Sequence, residues 1–350
     1  MAELTPVRSG HEFDEAALAR FLEREVAGFA GPLRVRQFEG GQSNPTFMLE
    51  SPSGRYVLRK QPPGTLLPSA HQVDREYRVM KALADTRVPV PRMLALGEDP
   101  AVIGTKFYVM EAVDGRIFEH PTLEEAPREQ RRALWRDLVR VLAALHAVDW
   151  QAVGLGDFGR PGNYYERQVA RWSKQYRAAQ TAEIESMERL LEWVPAHIPP
   201  AGPTSIAHGD YRVQNIMFHP TEPRVVAVLD WELCTLGDPL ADLGYLCMEY
   251  NADFAGEVTL RRPAAELAGM GLPTQEEVVA WYCAESGRER IDDWEFYVAY
   301  NLFRSAAIVQ GVYKRGLDGN ASSRKALDYK DECRNRADRA WAIAQRLGAR

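Results

Sequence analysis

The two most informative segments of the sequence are His208-Gly209-Asp210-Tyr211-Arg212-Val213-Gln214-Asn215 and Leu229-Asp230-Trp231-Glu232. Between them the sequence predicts a short hairpin whose second strand is apolar. Asp210 and Asn215 therefore share one loop, and Asp230 stands at the end of a strand. A carboxylate that orients and deprotonates a hydroxyl, with two further oxygen ligands for Mg²⁺, is what phosphoryl transfer requires of a protein.

Each polar residue of these segments has a predicted role in that chemistry. Asp210 is the candidate base, and Asn215 and Asp230 are the candidate metal ligands. His208 is expected to brace the loop, by analogy with the histidine of the protein-kinase catalytic loop. Arg212, on the same loop, is a further catalytic candidate. Taken singly, an Asp beside a Gly is usually a turn residue and a lone Asn a loop polar group. The joint order of motif, hairpin, strand and Asp favours the functional interpretation.

A glycine-rich loop, Glu39-Gly40-Gly41-Gln42-Ser43-Asn44, lies between two predicted strands near the N-terminus. Because glycines let backbone N–H groups approach phosphates closely, Gly40, Gly41, Ser43 and Asn44 are candidate nucleotide-binding residues. The loop matches neither GxGxxG nor a Walker sequence, and taken alone it is an ordinary hairpin turn. Its position ahead of a basic strand is what favours a role in nucleotide binding.

The basic strand Tyr56-Val57-Leu58-Arg59 continues into Lys60, and Glu76 follows on a predicted helix. A cation held by an acid of that helix can position the phosphates of a nucleotide. Alignment with V-A-I-K favours Arg59, whereas a shift of one residue favours Lys60, because side chains alternate between strand faces. The alternative is that Arg59, Lys60 and Glu76 are solvated surface charges.

Hydrophobic periodicity divides the chain into two portions. The N-terminal portion shows short alternating runs that predict a small antiparallel sheet, and the portion after Gly115 is mostly helical. Helices are predicted over residues 13–30, 71–85, 125–148 and 172–193. We therefore predict a β-rich nucleotide-binding lobe over residues 1–112 and a mainly helical catalytic and substrate lobe over residues 113–350.

The join between these portions has a predicted role of its own. Glu111-Ala112-Val113 follows the apolar strand Phe107-Tyr108-Val109-Met110, where an adenine-binding hinge would lie. Such a hinge binds through backbone groups, so side-chain identity says little about it. Glu111 and Val113 are the nucleotide-binding candidates here.

Composition excludes several classes of protein. The net charge of −6 argues against an electrostatic nucleic-acid binder. No stretch approaches the roughly 18 uninterrupted apolar residues of a membrane span. Four well-separated cysteines match neither a zinc site nor a disulfide framework and fit a reducing compartment, so a cytoplasmic location is expected.

With these residues in view, the chain resembles the aminoglycoside phosphotransferase/choline kinase family, relatives of protein kinases. HGDYRVQN and LDWE are the specific core of the resemblance, which covers roughly residues 20–340. Within the family, the chain is similar to the kinase domain associated with acyl-CoA dehydrogenases. The segments that carry this closer likeness are GGQSNPTF, YVLRKQPPG, LLPSAHQVDREYRVMKAL, VIGTKFYVMEAVDGRIF, GDPLADLGYL and LFRSAAIVQGVYKRGLDGNAS.

The resemblance implies a two-lobed α+β fold of the protein-kinase type that uses ATP and Mg²⁺. It implies Asp210 as base, Asn215 and Asp230 as Mg²⁺ ligands, and Arg59 with Glu76 as the phosphate-positioning pair. The closer likeness implies a small-molecule hydroxyl acceptor, namely a hydroxy fatty acid or its CoA thioester. The alternatives are an aminoglycoside, choline or sugar-type kinase and a non-catalytic nucleotide-binding pseudokinase. The retention of base and metal ligands argues against the pseudokinase.

The charged residues of the helical portion give only weak evidence about the identity of the acceptor. Cations that could meet a phosphate or carboxylate are Arg261, Arg262, Arg288, Arg290, Arg304, Lys314 and Arg315, most of which are expected to be surface charges. An aminoglycoside acceptor would instead need an acidic pocket. The acids that keep this alternative open are Glu249, Asp253, Glu285 and Glu289.

Overall fold

A computed structural model describes residues 4–39, 44–62, 71–252, 259–319 and 324–349. The chain forms two compact units. Unit 1 consists of residues 1–117 together with 217–234, and unit 2 consists of residues 118–216 together with 235–350. The hairpin that precedes Asp230 thus belongs with the N-terminal residues, although it is distant from them in sequence.

Unit 1 is built on a six-stranded antiparallel sheet. Its strands are β1 (Leu4–Thr5), β2 (Arg34–Phe38), β3 (Thr46–Ser51), β4 (Gly54–Lys60), β5 (Met93–Gly97) and β6 (Phe107–Glu111). Their spatial order is β1-β2-β3-β4-β6-β5. The short turn between β3 and β4 pairs Ser51 with Gly54 and Thr46 with Arg59, which fixes the register of the basic strand. Register decides which face each β4 side chain occupies, since alternate residues point to opposite sides.

One face of this sheet is covered by helix α1 (Glu15–Glu25). Asp14 caps the helix by accepting a hydrogen bond from the Ala17 N–H at 2.8 Å. The apolar stripe of α1 packs on alternate residues of the central strands. The buried members of this core are Leu18, Phe21, Leu22, Val26, Phe29, Phe47, Leu49, Leu58, Ala95, Ile103, Phe107 and Val109. The opposite set of β4 residues, which includes Val57 and Arg59, is thereby directed to the other face of the sheet.

Three further elements complete unit 1. The short helix α3 (Pro100–Ile103) lies on the α1 side, where Ile103 joins the core. On the other face lie α2 (Val73–Leu83) and a hairpin of β8 (Ile216–Phe218) with β9 (Val225–Val228). Arg116 and Phe218 exchange two backbone hydrogen bonds, of 2.7 and 2.8 Å. Gly115 makes this close approach possible, because a Cβ there would lie 2.3 Å from Met217 Cγ and 2.7 Å from the Phe218 carbonyl oxygen.

Unit 2 is mainly helical. Its helices are α4 (Arg128–His146), α5 (Tyr164–Ala179), α6 (Glu185–Ala196), α7 (Pro239–Leu246), α8 (Ala264–Met270), α9 (Gln275–Ser286), α10 (Trp294–Leu317) and α11 (Glu332–Arg346). A two-stranded antiparallel ladder joins β7 (Ser205–Ala207) to β10 (Thr235–Gly237). This ladder ends where the His208 loop begins, so a fixed pair of short strands positions the loop.

Two details of the helix and strand prediction were wrong. The single helix predicted over 172–193 is two helices, because the chain is extended at Gln180 (φ −60°, ψ 127°). Gln310 stabilises this break by donating hydrogen bonds to the Ala179 carbonyl and the Thr181 hydroxyl. Strand β5 was not predicted, since the two prolines that precede it indicated only the end of a helix.

The four cysteines, Cys234, Cys247, Cys283 and Cys333, are buried free thiols. They therefore act as small packing residues in the structure. Among the described residues, no helix is both long enough and apolar enough to cross a membrane.

Candidate active site

The predicted catalytic loop forms a compact turn in unit 2. Residues Val213–Asn215 make a single 3₁₀ turn that returns Asn215 to Asp210. The Asn215 side-chain amide donates to the Asp210 backbone carbonyl at 2.9 Å and to Asp210 Oδ2 at 2.8 Å. Because the nitrogen of this amide is used on Asp210, its carbonyl oxygen is the atom suited to ligate a cation. The structure thus brings the predicted base and one predicted metal ligand together.

Asp242, in the first turn of α7, anchors the start of this loop. Its Oδ2 accepts from the His208 N–H at 2.6 Å, and its Oδ1 accepts from the Gly209 N–H at 2.8 Å. The His146 Nε2 atom lies 3.2 Å from Oδ2. Burial opposes ionisation of this carboxyl, but hydrogen bonds from His146 and from the Gly209 N–H hold the pKa of Asp242 below its ordinary value. Asp242 is therefore a buried carboxylate that fixes two consecutive backbone amides.

The His208 side chain lies inside the loop. Its ring is fully buried, and Nδ1 accepts from the Asp210 N–H at 3.2 Å. Gly209 adopts φ +85°, a left-handed conformation that a residue with a Cβ rarely takes. The Tyr211 hydroxyl, one residue beyond the base, donates to the Leu138 carbonyl at 2.8 Å. These contacts lock both sides of Asp210.

Arg212 lies on the same loop with a partly exposed side chain. Its Nε donates to Gln214 Oε1 at 2.8 Å, and Nη2 lies 4.0 Å from Glu249 Oε1. Gln214 in turn donates to the Glu119 carbonyl at 2.9 Å. Arg212 is thus oriented by its neighbours, two residues after the candidate base.

In unit 1, Arg59 joins two acids that the sequence selected separately. Its Nε lies 3.1 Å from Glu76 Oε2 on α2, and its Nη2 lies 2.7 Å from Asp230 Oδ1 at the end of the hairpin. Burial opposes the charge of Arg59, but the neighbouring Glu76, above all, raises its pKa above the ordinary value. Arg59 is therefore a permanent cation next to the candidate metal ligand.

Asp230 has an unusual backbone. Its φ of +62° is in the left-handed region, which is strained for a residue with a Cβ and is often found at functional sites. The 3₁₀ turn Trp231–Leu233 follows directly, and the buried Trp231 indole donates to the Val228 carbonyl at 2.9 Å. This packing holds Asp230 in its conformation with the carboxylate on Arg59.

The structure separates the two basic candidates of β4. Lys60 is buried on the opposite face, with Nζ 5.2 Å from the Phe13 ring centroid and 5.9 Å from that of Phe47. Burial lowers the pKa of the Lys60 ammonium below its ordinary value. Of Arg59 and Lys60, Arg59 is the one that contacts Glu76 and Asp230. The alternative that Arg59, Lys60 and Glu76 are solvated surface charges is therefore wrong.

Asn44 is placed differently from the prediction. It is buried, and its side-chain amide donates to Glu76 Oε1 at 2.8 Å, while its Oδ1 lies 3.0 Å from His71 Nδ1. The Tyr108 hydroxyl donates to Glu76 Oε2 at 3.0 Å. The Asn44 side chain thus supports Glu76, the acid that contacts Arg59. The remaining loop candidates, Gly40, Gly41 and Ser43, lie outside the described residues.

A cavity of about 550 Å³ lies on the Arg59 side of the sheet, within unit 1. Its wall is mostly apolar and includes Met48, Val57, Met110, Ile117, Met217 and Leu229. Glu111, Ala112 and Val113, the predicted hinge, form part of its rim. Val57 precedes Arg59 by two residues on one strand face, and Leu229 directly precedes Asp230. The cavity has the size and the apolar lining of a small-ligand site.

Most charges considered for the acceptor are engaged elsewhere. Arg262, Arg290 and Lys314 form ion pairs with Glu266, Asp292 and Asp318, respectively. Arg304 is buried and donates to the Gly209 carbonyl, so it supports the loop. Of the acids, Glu249 is buried beside Arg212, Glu285 and Glu289 are exposed, and Asp253 lies outside the described residues.

Sequence reasoning missed one contributor to this site. His146 carries no motif of its own and is identified only by its contact with Asp242. Asp242 itself accepts hydrogen bonds from the backbone N–H groups of His208 and Gly209.

Known proteins resemble this chain over nearly its whole length. Mouse (Mus musculus) acyl-CoA dehydrogenase family member 10 is 44% identical over 346 residues, which cover 99% of this chain and 32% of the mouse protein. A crystal structure from Ralstonia eutropha JMP134, described as a candidate aminoglycoside phosphotransferase, is 47% identical with a TM-score of 0.86, covering 96% of this chain and 99% of that one. Spectinomycin phosphotransferase, solved with ADP and spectinomycin, has a TM-score of 0.62 at 13% identity, covering 95% and 99%.

These likenesses confirm the α+β, kinase-like fold and the predicted family. The chain spans less than half the length of the acyl-CoA dehydrogenase family members that it matches. The sequence profile of the phosphotransferase enzyme family matches residues 34–285, the greater part of the chain. The chain therefore belongs to the phosphotransferase enzyme family.

Proposed function

We propose that this protein transfers a phosphoryl group from ATP, with Mg²⁺, to the hydroxyl of a small molecule. Unit 1 would hold the nucleotide, and unit 2 would supply the base and the acceptor site. One observation carries the proposal: Arg59 joins Glu76 and Asp230, on the face of the sheet that also bears the apolar cavity. A fixed cation beside a carboxylate suits the phosphate tail and metal of a nucleotide.

The residues present fit this cofactor. The apolar cavity with residues 111–113 on its rim suits a planar base, and its volume of about 550 Å³ suits a nucleoside. Arg59 would meet the phosphates, and Asp230 and Asn215 would ligate Mg²⁺ through oxygen. Bound Mg²⁺ would neutralise charge that develops on the phosphate oxygens. The ADP in the spectinomycin phosphotransferase structure supports a nucleotide in this fold.

Asp210 would orient the acceptor hydroxyl and accept its proton. The Asn215 amide holds one carboxylate oxygen, and the backbone of the base is fixed through His208 and Gly209. A base held in one orientation contributes to rate because the reacting groups are already aligned. Arg212, two residues further along the loop, would assist by contacting the acceptor.

A hydroxy fatty acid or its CoA thioester is the acceptor that we favour. Relatives named acyl-CoA dehydrogenase family members match almost the entire chain, and their name is what favours an acyl acceptor in this proposal. The described part of unit 2 also gives little support to a polycationic acceptor. Glu249 lies beside Arg212, and Glu285 is 4.0 Å from Arg136. An acidic pocket, which a polycation would need, is not seen among the described residues.

An aminoglycoside-type kinase is the second candidate. The Ralstonia eutropha structure, at 47% identity, is described in those terms. The two candidates predict opposite preferences for the charge of the acceptor, so a direct comparison separates them.

The test is ATP consumption by the purified protein with a panel of acceptors: hydroxy fatty acids, hydroxyacyl-CoAs, aminoglycosides and choline. We expect turnover with a hydroxyacyl compound and none with the same chain lacking the hydroxyl. Turnover confined to an aminoglycoside or choline would keep the kinase and overturn the acyl acceptor. Product formation by an Asp210→Ala variant at the wild-type rate would overturn the role of the loop.

A further inference from the structure

The N-terminal segment, residues 4–11, begins with the edge strand of the unit 1 sheet. Strand β1 is outermost beside β2, and the pairs between them are Leu4 with Phe38 and Thr5 with Gln37. Residues that pair across two strands point to the same face, and successive residues of a strand point to opposite faces. Leu4 and Phe38 therefore share one face of the sheet, and Thr5 and Gln37 share the other.

The face that Leu4 and Phe38 share is the cavity face. Both residues belong to the wall of the cavity of about 550 Å³, together with Met48 and Val57 of the central strands. Phe38 ends β2, the strand that leads into the glycine-rich loop. The family profile matches residues 34–285, so Leu4 is a cavity residue that precedes the matched part of the chain.

On the opposite face, Gln37 holds the N-terminal segment against β2. Its side chain is fully buried, Oε1 accepts from the Arg8 N–H at 2.9 Å, and Nε2 lies 2.7 Å from His11 Nδ1. The Thr5 hydroxyl donates to the Gln37 carbonyl at 3.3 Å, and Arg8 Nη2 donates to the Phe38 carbonyl at 3.2 Å. Because a buried amide is costly without partners, Gln37 favours the conformation in which the N-terminal segment covers it.

From this arrangement we infer that Leu4 contacts the nucleoside of the bound nucleotide and that Gln37 positions Leu4 for this contact. The inference rests on the proposed binding of ATP in the cavity. An apolar side chain in the wall removes nonpolar surface of the nucleoside from water, which favours binding. A segment that only covered the edge of β2 would stabilise unit 1 without changing the affinity for ATP. Measuring Kd and thermal stability in the same variants therefore separates the two roles.

Leu4→Ala tests the contact. It removes most of a partly buried apolar side chain from the cavity wall, so the Kd for ATP in the presence of Mg²⁺ should rise by about threefold to tenfold. Isothermal titration calorimetry measures this constant and needs no acceptor. Leu33→Ala is the matched control, because Leu33 is also a partly buried leucine of unit 1 but packs against the core that contains α1. We expect a wild-type Kd and a lower thermal midpoint from this control.

Gln37→Leu tests the positioning role. It keeps the buried volume but removes the contacts with the Arg8 N–H and with His11, so the N-terminal segment should separate from β2 more often. Amide hydrogen exchange in residues 4–11 should become faster, and the Kd for ATP should rise as it does in Leu4→Ala. Combining the two substitutions should raise Kd by less than the product of the two separate increases, since both act on one contact.

The outcomes of these titrations are distinct. A wild-type Kd in Leu4→Ala, in a protein whose wild type binds ATP, would overturn the inference and leave the proposed function standing. Faster exchange in Gln37→Leu with an unchanged Kd would overturn the positioning role, because the segment would then only cover the sheet edge. A wild-type protein that binds no ATP would overturn the proposed function and this inference with it. A circular dichroism spectrum confirms that each variant is folded.

Discussion

Arg59 Nη2 donates a 2.7 Å hydrogen bond to Asp230 Oδ1, although the two residues are 171 positions apart in the sequence. The same guanidinium contacts Glu76 on α2, so strand β4, helix α2 and the β8–β9 hairpin meet at one side chain. This junction places a cation and a carboxylate next to each other on the cavity side of the sheet.

Replacing Arg59 should affect nucleotide use, and replacing Lys60 should not. Arg59→Ala removes the proposed phosphate contact and leaves Glu76 without its cation, so kcat/KM for ATP should fall by about tenfold to a hundredfold or more. Lys60→Met is the control, since it removes the neighbouring charge from the opposite face of the strand at similar side-chain length. Equal losses of kcat/KM in both variants would contradict the assignment of Arg59.

Asn44→Asp should destabilise unit 1. It replaces the amide that donates to Glu76 at 2.8 Å by a second carboxylate, so two acids would face each other in a buried site. Asn44→Ala, which only removes the donor, should cost about 1–3 kcal/mol and give a smaller drop in thermal midpoint. A thermal shift assay of Asn44→Asp and Asn44→Ala measures which variant has the lower thermal midpoint. A midpoint in Asn44→Asp equal to that of wild type would show that Asn44 does not bond Glu76.

Asp242→Asn should loosen the Asp210 loop and change the acid stability of the protein. The folded-state pKa of Asp242 is lowered, so its carboxylate contributes stability above the ordinary Asp pKa of about 3.9 and loses that contribution as pH falls through the folded pKa. Thermal midpoints of wild type should therefore fall more steeply on acidification below about pH 4 than those of Asp242→Asn. Parallel pH profiles would contradict a charged, buried Asp242.

Gly115→Ala should disturb the contact between the segment after β6 and the hairpin. The added Cβ would overlap Met217 and the Phe218 carbonyl, and overpacking of this kind costs about 1–3 kcal/mol. Gly156→Ala is the control, because a Cβ at Gly156 meets no atom within 4 Å. Thermal unfolding of the two variants compares them directly. A wild-type midpoint in Gly115→Ala would show that the segment adjusts without cost.

The sequence was informative where chemistry demands particular residues in a particular order. Asp210, Asn215 and Asp230 were selected because a base and two oxygen ligands follow one another around a hairpin, and the structure does bring Asn215 onto Asp210. The strands of unit 1 were found through alternating residues, whose pattern is local. The acid partner of Arg59 was found because a basic strand followed by a helix acid is a local pattern too.

Other contacts depend on long-range packing and left no local signal. The choice between Arg59 and Lys60 follows from β3–β4 register, and the interior placement of Asn44 follows from where α2 lies. Arg304 meets the loop only because α10 packs beside it. The break between α5 and α6 is stabilised by Gln310, which is 131 residues away from Ala179. Pairings at such separations cannot be read from periodicity.

The decisive test of the role of Asp210 is phosphoryl transfer by Asp210→Ala, measured together with the affinity of this variant for ATP. The experiment compares kcat with the best acceptor of the panel and the Kd for ATP in the presence of Mg²⁺, for wild type and for the variant. We predict that Kd is unchanged within error and that kcat falls by at least the roughly 10²–10⁴-fold typical of a lost general base. A variant that binds ATP normally and still turns over at a rate near that of wild type would contradict the account.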